Sequence, residues 1–106
     1  MCDMRGMLSF MVLWLLSMRP MYGQELAKEI GKRRGDKPNP GTIYPALKDL
    51  TGHGLIEWEL KGRNTVYRLT PAGKESLFRA LEYFERSFGD IFQSAARVRK
   101  KLAKSD

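Results

Sequence analysis

The sequence predicts a mainly α-helical fold with one small β-hairpin, and three patterns in its 106 residues lead to this prediction. Apolar residues recur at helical spacing in four segments, which is typical of helices that bury one face. Residues 55–60 alternate between apolar and acidic, and a second strand-like stretch, 65–69, follows a glycine-containing turn. Proline or glycine marks the ends of most of these segments. The predicted order is therefore helix, helix, helix, hairpin, helix.

The first predicted helix, residues 4–18, is apolar on almost all sides and ends before Pro20. Its central run, MLSFMVLWLLSM, is also similar to the apolar part of a signal peptide. The run is too short to span a bilayer, and no small-x-small cleavage site follows it. We therefore favour a buried helix, and we expect a cytoplasmic protein without a membrane partner. The single cysteine, Cys2, agrees with a reducing compartment.

The second and third predicted helices are short and are joined by a polar, basic connection. The second covers residues 22–33. The third begins at Asn39, a capping residue type, followed by Pro40 in the first helical position. It ends at Gly54, where a left-handed glycine followed by Leu55 would close the helix.

The third helix has two different faces. Ile43, Leu47 and Leu50 form an apolar stripe, which predicts burial. Two short helices of which the second has an exposed polar face form a helix-turn-helix, and a hairpin directly after it makes the winged version. The exposed face combines small, aromatic and cationic residues, namely Gly41, Thr42, Tyr44, Pro45 and Lys48.

The charge of the chain indicates the partner of this face. A net charge of +7 favours an anion, and the major groove of duplex DNA admits one helix. We therefore expect the third helix to read bases, the hairpin to reach a phosphate or the minor groove, and N–H groups opening the second helix to meet a phosphate. The predicted DNA contacts are Tyr22, Gly23, Gly41, Thr42, Tyr44, Pro45, Lys48, Lys61, Arg63 and Arg68.

Several of these residues also have a purely structural interpretation. Tyr44 could pack between the third helix and the hairpin, Lys48 could be only a solvated charge, and Arg63 only an exposed turn residue. The sequence lacks the patterns of an enzyme, such as a phosphate-binding glycine-rich loop or a nucleophile elbow. His53 is the only histidine and has no second ligand at metal spacing. We therefore predict no catalytic residue, no metal and no cofactor.

The last predicted helix, residues 72–103, carries apolar residues that alternate four and three apart, which is a heptad repeat. A body of this size cannot cover so long a helix, so the repeat predicts packing against another chain. The alternative is that the helix folds back on the first helix. Both could hold, with the N-terminal half of the apolar repeat packed on the body and the rest against a partner. We divide the chain into a DNA-binding domain, 1–71, and a dimerisation helix, 72–106. The repeat ends at Leu102. The predicted dimer contacts are the positions of the repeat before it, namely Leu77, Leu81, Phe84, Phe88, Ile91, Ala95 and Val98.

Four segments resemble the PadR family of winged-helix transcriptional regulators. They are MYGQELAKEI, PGTIYPALKDL, GLI and YRLTPAGKESL, of which the second is the most specific. The resemblance implies a homodimeric DNA-binding protein, usually a repressor, with a single C-terminal dimerisation helix and a palindromic operator. It also implies a small hydrophobic or aromatic effector, although this last helix lacks the tryptophan that multidrug-binding members use.

One rival function stays open at this point. The winged helix could be a protein-interaction module that has lost DNA binding. In that case the last helix would dock onto a different partner. Replacing Tyr44 and Lys48 separates the two functions, because only the DNA-binding protein needs both side chains.

Overall fold

The computed structural model describes residues 4–104, which form four helices and one three-stranded antiparallel sheet. Cys2 lies outside these residues. The predicted mainly α winged-helix fold is confirmed, with one additional strand. The elements in chain order are α1 (Met4–Leu16), β1 (Met21–Tyr22), α2 (Gly23–Arg34), α3 (Pro40–Gly52), β2 (Ile56–Lys61), β3 (Asn64–Leu69) and α4 (Pro71–Lys104).

The short strand β1 changes the start of the second helix. Met21 pairs with Tyr67 and Tyr22 with Val66, so β3 is the central strand of the sheet. The sequence prediction began the second helix at Tyr22, but this residue is extended and α2 begins one residue later. Two residues carry too little alternation to identify a strand by pattern.

Helix α1 lies at the centre of the core, which agrees with the buried-helix interpretation. It contacts α2, α3, α4 and β3. Burying a large aliphatic side chain stabilises a fold by about 1.5–3 kcal/mol, so α1 contributes much of the core. Among residues 4–104, no helix is both long enough and apolar enough to cross a membrane. The buried side chains of α1 are Leu8, Val12, Leu13, Leu15 and Leu16.

The end of α3 has the predicted glycine closure. Gly54 has a φ of 72°, in the left-handed region. Its N–H donates to the Thr51 carbonyl and the Leu55 N–H donates to the Leu50 carbonyl, both at 3.0 Å. These two bonds form a Schellman motif, which satisfies carbonyls that the helix end leaves without donors.

Thr70 joins the end of α3 to the start of α4. Its hydroxyl donates to the Gly54 carbonyl at 2.6 Å and accepts from the Gly73 N–H at 3.0 Å. Its own N–H donates to the Leu55 carbonyl at 3.1 Å. A Cβ on Gly73 would stand 1.9 Å from that carbonyl oxygen, so only glycine permits this approach. The direction of α4 is therefore set by the end of α3.

Helix α4 leaves the body of the molecule. Its 34 residues extend over about 51 Å, and the longest dimension of the molecule is 56 Å. Within α4 only Gly73 and Leu77 are buried. Further along, the ring of Phe84 stacks on Phe10 of α1 with 5.4 Å between centroids. The part of α4 up to Phe84 thus packs on its own chain, and the remainder projects.

Candidate nucleic-acid interface

The exposed face of α3 carries all five of its predicted DNA contacts. Gly41, Thr42, Tyr44, Pro45 and Lys48 are exposed, while the predicted stripe on the opposite face is buried. Pro45 lies inside the helix and has no N–H. The carbonyl of Gly41 therefore lacks its usual helical donor and stays open to solvent or a ligand. This face can offer hydroxyl, ammonium and backbone carbonyl groups to a partner.

The start of α3 orients Thr42. Asn39 is the cap residue, as predicted, and its carbonyl accepts the Thr42 N–H at 2.9 Å. The Asn39 side chain makes no bond to the backbone of the helix and instead accepts the Thr42 hydroxyl at 3.2 Å. The Thr42 oxygen keeps its lone pairs for an outside donor.

Tyr44 is both packed and exposed, so the two interpretations of this residue each describe part of it. Its ring lies against the start of α2, where a Cβ on Gly23 would stand 2.9 Å from the ring atom Cε1. The side chain is nevertheless 42% exposed. Gly23 is itself buried. The missing side chain of Gly23 therefore makes the space in which the Tyr44 ring rests.

The amide of Tyr22 is already occupied, which corrects the expectation that it presents its N–H to a phosphate. It donates to the Glu25 carboxylate at 2.9 Å, and the same carboxylate pairs with Arg19 at 3.1 Å. The Tyr22 N–H, and then the Arg19 guanidinium, hold the pKa of Glu25 below its ordinary value. Glu25 also places a negative charge at the start of α2, where it complements the helix dipole.

The tip of the hairpin presents Arg63 to solvent. Lys61 and Asn64 pair across the strands, which leaves Gly62 and Arg63 as a two-residue turn. Gly62 has a φ of 64° and Arg63 a negative φ, the pattern of a type II′ turn. Lys61 and Arg63 are exposed, so both cations can reach a partner.

The remaining cation of the hairpin, Arg68, is paired. Its guanidinium forms an ion pair with Glu59 of the neighbouring strand. Any contact of Arg68 with a phosphate would have to compete with this carboxylate.

The predicted apolar face of β2 is buried only at its start. Ile56 is buried, whereas Trp58 and Leu60 are 52% and 65% exposed, because the hairpin extends past the core.

A polar groove of about 430 Å³ separates the start of α2 from the hairpin. It brings together Tyr22, Gly23, Tyr44 and Arg63 of the predicted set. The other six predicted contacts lie outside it. Sequence reasoning missed five residues of the lining, although alternation along the hairpin had placed one of them, Tyr67, on a defined face. These five are Gln24, Glu25, Asn64, Thr65 and Tyr67.

Tyr67 gives the groove a neutral hydroxyl. Burial, together with the nearby Tyr44, raises the pKa of the Tyr67 phenol above its ordinary value. The phenol therefore stays protonated at neutral pH and can donate a hydrogen bond. The pairing of β1 with β3 brings Tyr67 beside the start of α2.

The predicted dimer residues on α4 fall into two groups. Leu77 is only 5% exposed and belongs to the core of its own chain. It therefore anchors α4 to the body, and its part in a dimer contact stays a prediction. Phe84 is half-buried against α1 and also contacts Phe88 and Phe92. The exposed apolar stripe, which we call the α4 seam, consists of Leu81, Phe88, Ile91, Val98 and Leu102, with the half-buried Ala95.

The sheet, the helix order and the exposed third helix define a winged helix-turn-helix protein. The chain belongs to the PadR family, because the model of the transcriptional regulator PadR-like family matches residues 12–79. The family prediction made from the four sequence segments is thus confirmed.

Relatives from bacteria and archaea show the same relationship. The transcriptional regulator Rv3488 of Mycobacterium tuberculosis is 41% identical over 73 residues, which is 62% of this chain and 67% of Rv3488. The transcriptional activator GvpE of Haloferax mediterranei is 32% identical over 81 residues, 76% of this chain and 41% of GvpE. The chain spans only a quarter of a third relative, from a Streptomyces fradiae transposon.

Solved structures have the same fold. The structure of RosR from H. salinarum has a TM-score of 0.71 and 30% sequence identity. The match covers 91% of this chain and 88% of RosR. The similarity therefore includes the projecting last helix as well as the winged domain.

Proposed function

We propose that the protein is a sequence-specific, DNA-binding transcriptional regulator that binds a palindromic operator as a homodimer. The observation that carries the proposal is the exposed face of α3, with Thr42, Tyr44 and Lys48 on a helix whose other face is buried. Arg63 lines the groove beside Tyr44, which supports joint contact by helix and hairpin. Residues 1–71 would bind DNA and residues 72–106 would dimerise.

The chemistry of the face suits duplex DNA. Lys48 can donate hydrogen bonds to base edges in the major groove, the Thr42 oxygen can accept one from a base amino group, and Tyr44 can reach a base or a sugar. Arg63 reaches a phosphate or the minor groove, as the wing of a winged helix can. Phosphate contacts supply much of the affinity of such proteins, so binding should weaken as salt rises.

The α4 seam supports the homodimer. Soluble monomers rarely expose contiguous apolar surface on this scale, yet Ile91 and Leu102 are 58% and 66% exposed. A second copy covering the seam would remove this surface from water. Two α3 helices related by a two-fold axis then fit half-sites about one helical turn apart on the DNA.

Repression and release complete the proposal. A dimer bound over a promoter blocks transcription, and the protein acts in the cytoplasm, where it meets DNA. An apolar groove of about 350 Å³ between the end of α1 and α4 supports release by a small hydrophobic or aromatic effector. Its lining includes Leu16, Leu77, Phe78 and Leu81, with Lys74 among them as a cation.

The test begins by locating the bound sequence with chromatin precipitation or footprinting. Fluorescence anisotropy then compares that operator with scrambled duplexes at two salt concentrations. We expect preference for the operator and loss of that preference in the double variant Tyr44→Ala/Lys48→Ala. Lys28→Ala, which removes an exposed lysine of α2, is the control.

Equal, weak binding to every duplex would overturn specific regulation. Unchanged regulation by the double variant, with loss of a protein partner when Phe88 is changed to Asp, would favour the interaction module instead. A reporter gene placed behind the operator shows whether the protein represses or activates transcription. Removing the protein should raise expression of the reporter if the protein is a repressor.

A further inference from the structure

The last two turns of α4 carry a stripe of cations on one face. Arg97, Lys100, Lys101 and Lys104 follow one another at i, i+3, i+4 and i+7, so they are neighbours on the helix surface. All four are exposed. Residues 91–104 contain five basic residues and no Asp or Glu. Within the part of the chain that the structure describes, none of the four cations forms an ion pair. We call them the terminal basic stripe.

The same face of α4 is neutralised closer to the body. Glu75, Arg79, Glu82, Arg86 and Asp90 alternate in sign along it. The Arg79 and Glu75 side chains are 3.6 Å apart, as expected for an i,i+4 pair. Like charges at these spacings repel one another by a few tenths of a kcal/mol each, a cost that the favourable interaction of Lys101 and Lys104 with the end of the helix dipole offsets.

The stripe lies opposite the α4 seam. With 3.6 residues per turn, Ile91, Ala95, Val98 and Leu102 fall about 140° around the helix from the four cations. A second copy that covers the seam therefore leaves the stripe facing outward, where the partner helix cannot neutralise it. This step rests on the proposed homodimer.

We propose that the terminal basic stripe binds the sugar–phosphate backbone of duplex DNA outside the segment that α3 and the hairpin read. The stripe extends over about 10 Å of helix, and duplex DNA carries one negative charge per about 1.7 Å of its axis, so several phosphates lie within reach. Lys and Arg side chains that contact only phosphates hold a protein on DNA without reading its sequence. The stripe extends the contact beyond the operator and adds affinity that is independent of sequence.

A membrane surface is the other anionic partner that a basic helix suits. Insertion there requires an apolar face that is free to enter the bilayer. The apolar face of α4 is the seam assigned to the second copy, and residues 93–104 contain no aromatic residue. These two features favour DNA over lipid.

The experiment compares the triple variant Arg97→Gln/Lys100→Gln/Lys101→Gln with the wild-type protein. The matched control, Lys74→Gln/Arg79→Gln/Arg86→Gln, removes the same charge from the first part of α4. Affinity is measured across a salt series on a duplex that contains only the operator and on one with about a helical turn of extra DNA on each side. Thermal melting of each variant shows that the fold is kept.

We expect the wild type to bind the longer duplex more tightly. The stripe variant should lose that gain, and the slope of log affinity against log salt should become shallower by about 3 per protomer on the longer duplex. Operator preference over a scrambled duplex of equal length should persist in the variant. The control should retain the gain from the longer duplex.

Equal slopes for the wild type and the stripe variant on both duplexes would overturn the proposal, while operator preference would still support the proposed function. Stripe-dependent binding to vesicles of anionic phospholipid, without any effect of DNA length, would also overturn it, in favour of a membrane surface. Absence of operator preference in the wild type would instead count against the proposed function.

Discussion

The hydroxyl of Thr70 donates to the carbonyl of Gly54 at 2.6 Å, and through this bond the last residue before α4 holds the residue that closes α3. The same hydroxyl accepts the Gly73 N–H in the first turn of α4. One side chain therefore fixes the angle between the helix proposed to read DNA and the helix proposed to bind a second copy.

Replacing Thr70 with Ala should lower the free energy of unfolding by about 1–2 kcal/mol, because both bonds of the hydroxyl are lost and a helix cap disappears. Thr70→Ser retains the hydroxyl and should remain close to the wild type. Urea unfolding followed by circular dichroism measures both. Equal destabilisation by Ala and Ser would show that the methyl group, and not the hydroxyl, matters.

Gly73→Ala should destabilise the protein by about 1–3 kcal/mol, since its Cβ would meet the Leu55 backbone and something must shift. The control is Gly89→Ala, on the projecting part of the same helix, where a Cβ meets nothing within 4 Å. That change should stabilise the chain by about 0.5–1 kcal/mol, because alanine favours a helix interior. A thermal melt that ranks the two variants in the opposite order would contradict the close approach at Gly73.

Gly23→Ala should weaken operator binding more than it weakens the fold. The new Cβ would touch the ring of Tyr44, which is partly exposed and can swing outward, so the reading face changes shape while the core stays intact. Anisotropy titrations and melts on the same sample separate the two effects. A large drop in melting temperature with unchanged affinity per folded molecule would refute this role of the glycine.

Stability should depend on the charge of Glu25. Its pKa is lowered in the folded chain from an ordinary value of 4.5, so its contribution is present above that value and is lost as the pH falls through the lower folded-state pKa. The difference in unfolding free energy between the wild type and Glu25→Gln should therefore be larger at about pH 7 than at about pH 3. Glu85→Gln, at an exposed position on α4, is the control. If the difference in unfolding free energy between the two proteins did not change with pH, the charge of the Glu25 carboxylate would not contribute to stability.

Phe88→Asp should convert the proposed homodimer to monomer, because a carboxylate would be buried in the α4 seam without a partner. Tyr83→Asp introduces the same charge on an exposed residue of α4 outside the seam and should leave the dimer intact. Light scattering after size-exclusion chromatography gives the mass of each variant. A dimeric Phe88→Asp protein would place the self-contact elsewhere.

Most of the fold could be predicted because its signals are local. The limits of α3 follow from Asn39, Pro40 and Gly54, whose backbone preferences depend on their own chemistry. The burial of α1 follows from a run of apolar side chains. The strand β1 escaped prediction because its two residues are identified only by their pairing with β3, a contact between distant parts of the chain.

The candidate site could be predicted only in part, for the same reason. Residues on one helix share a face by periodicity, so Thr42, Tyr44 and Lys48 emerge from the sequence. The pairing of Arg68 with Glu59 depends on contact between two strands. The occupied amide of Tyr22 is a local contact with Glu25 in the first turn of α2, and it was missed because the predicted helix began one residue too early. Leu77 belongs to the heptad repeat, yet the repeat alone does not distinguish the part that packs on the body from the part that projects.

The close approach of Gly73 to Leu55 limits which operators a dimer could accept. If α4 starts in a fixed direction from the end of α3, the separation of two reading helices is a property of the rigid chain and not of a flexible linker. Each inserted base pair rotates one half-site by about 34° relative to the other. Changes in spacing would then have to be absorbed by twisting or bending the DNA. The dimer would bind operators whose centres differ by one base pair in length with different affinities, and the free energy of deforming the DNA would set that difference.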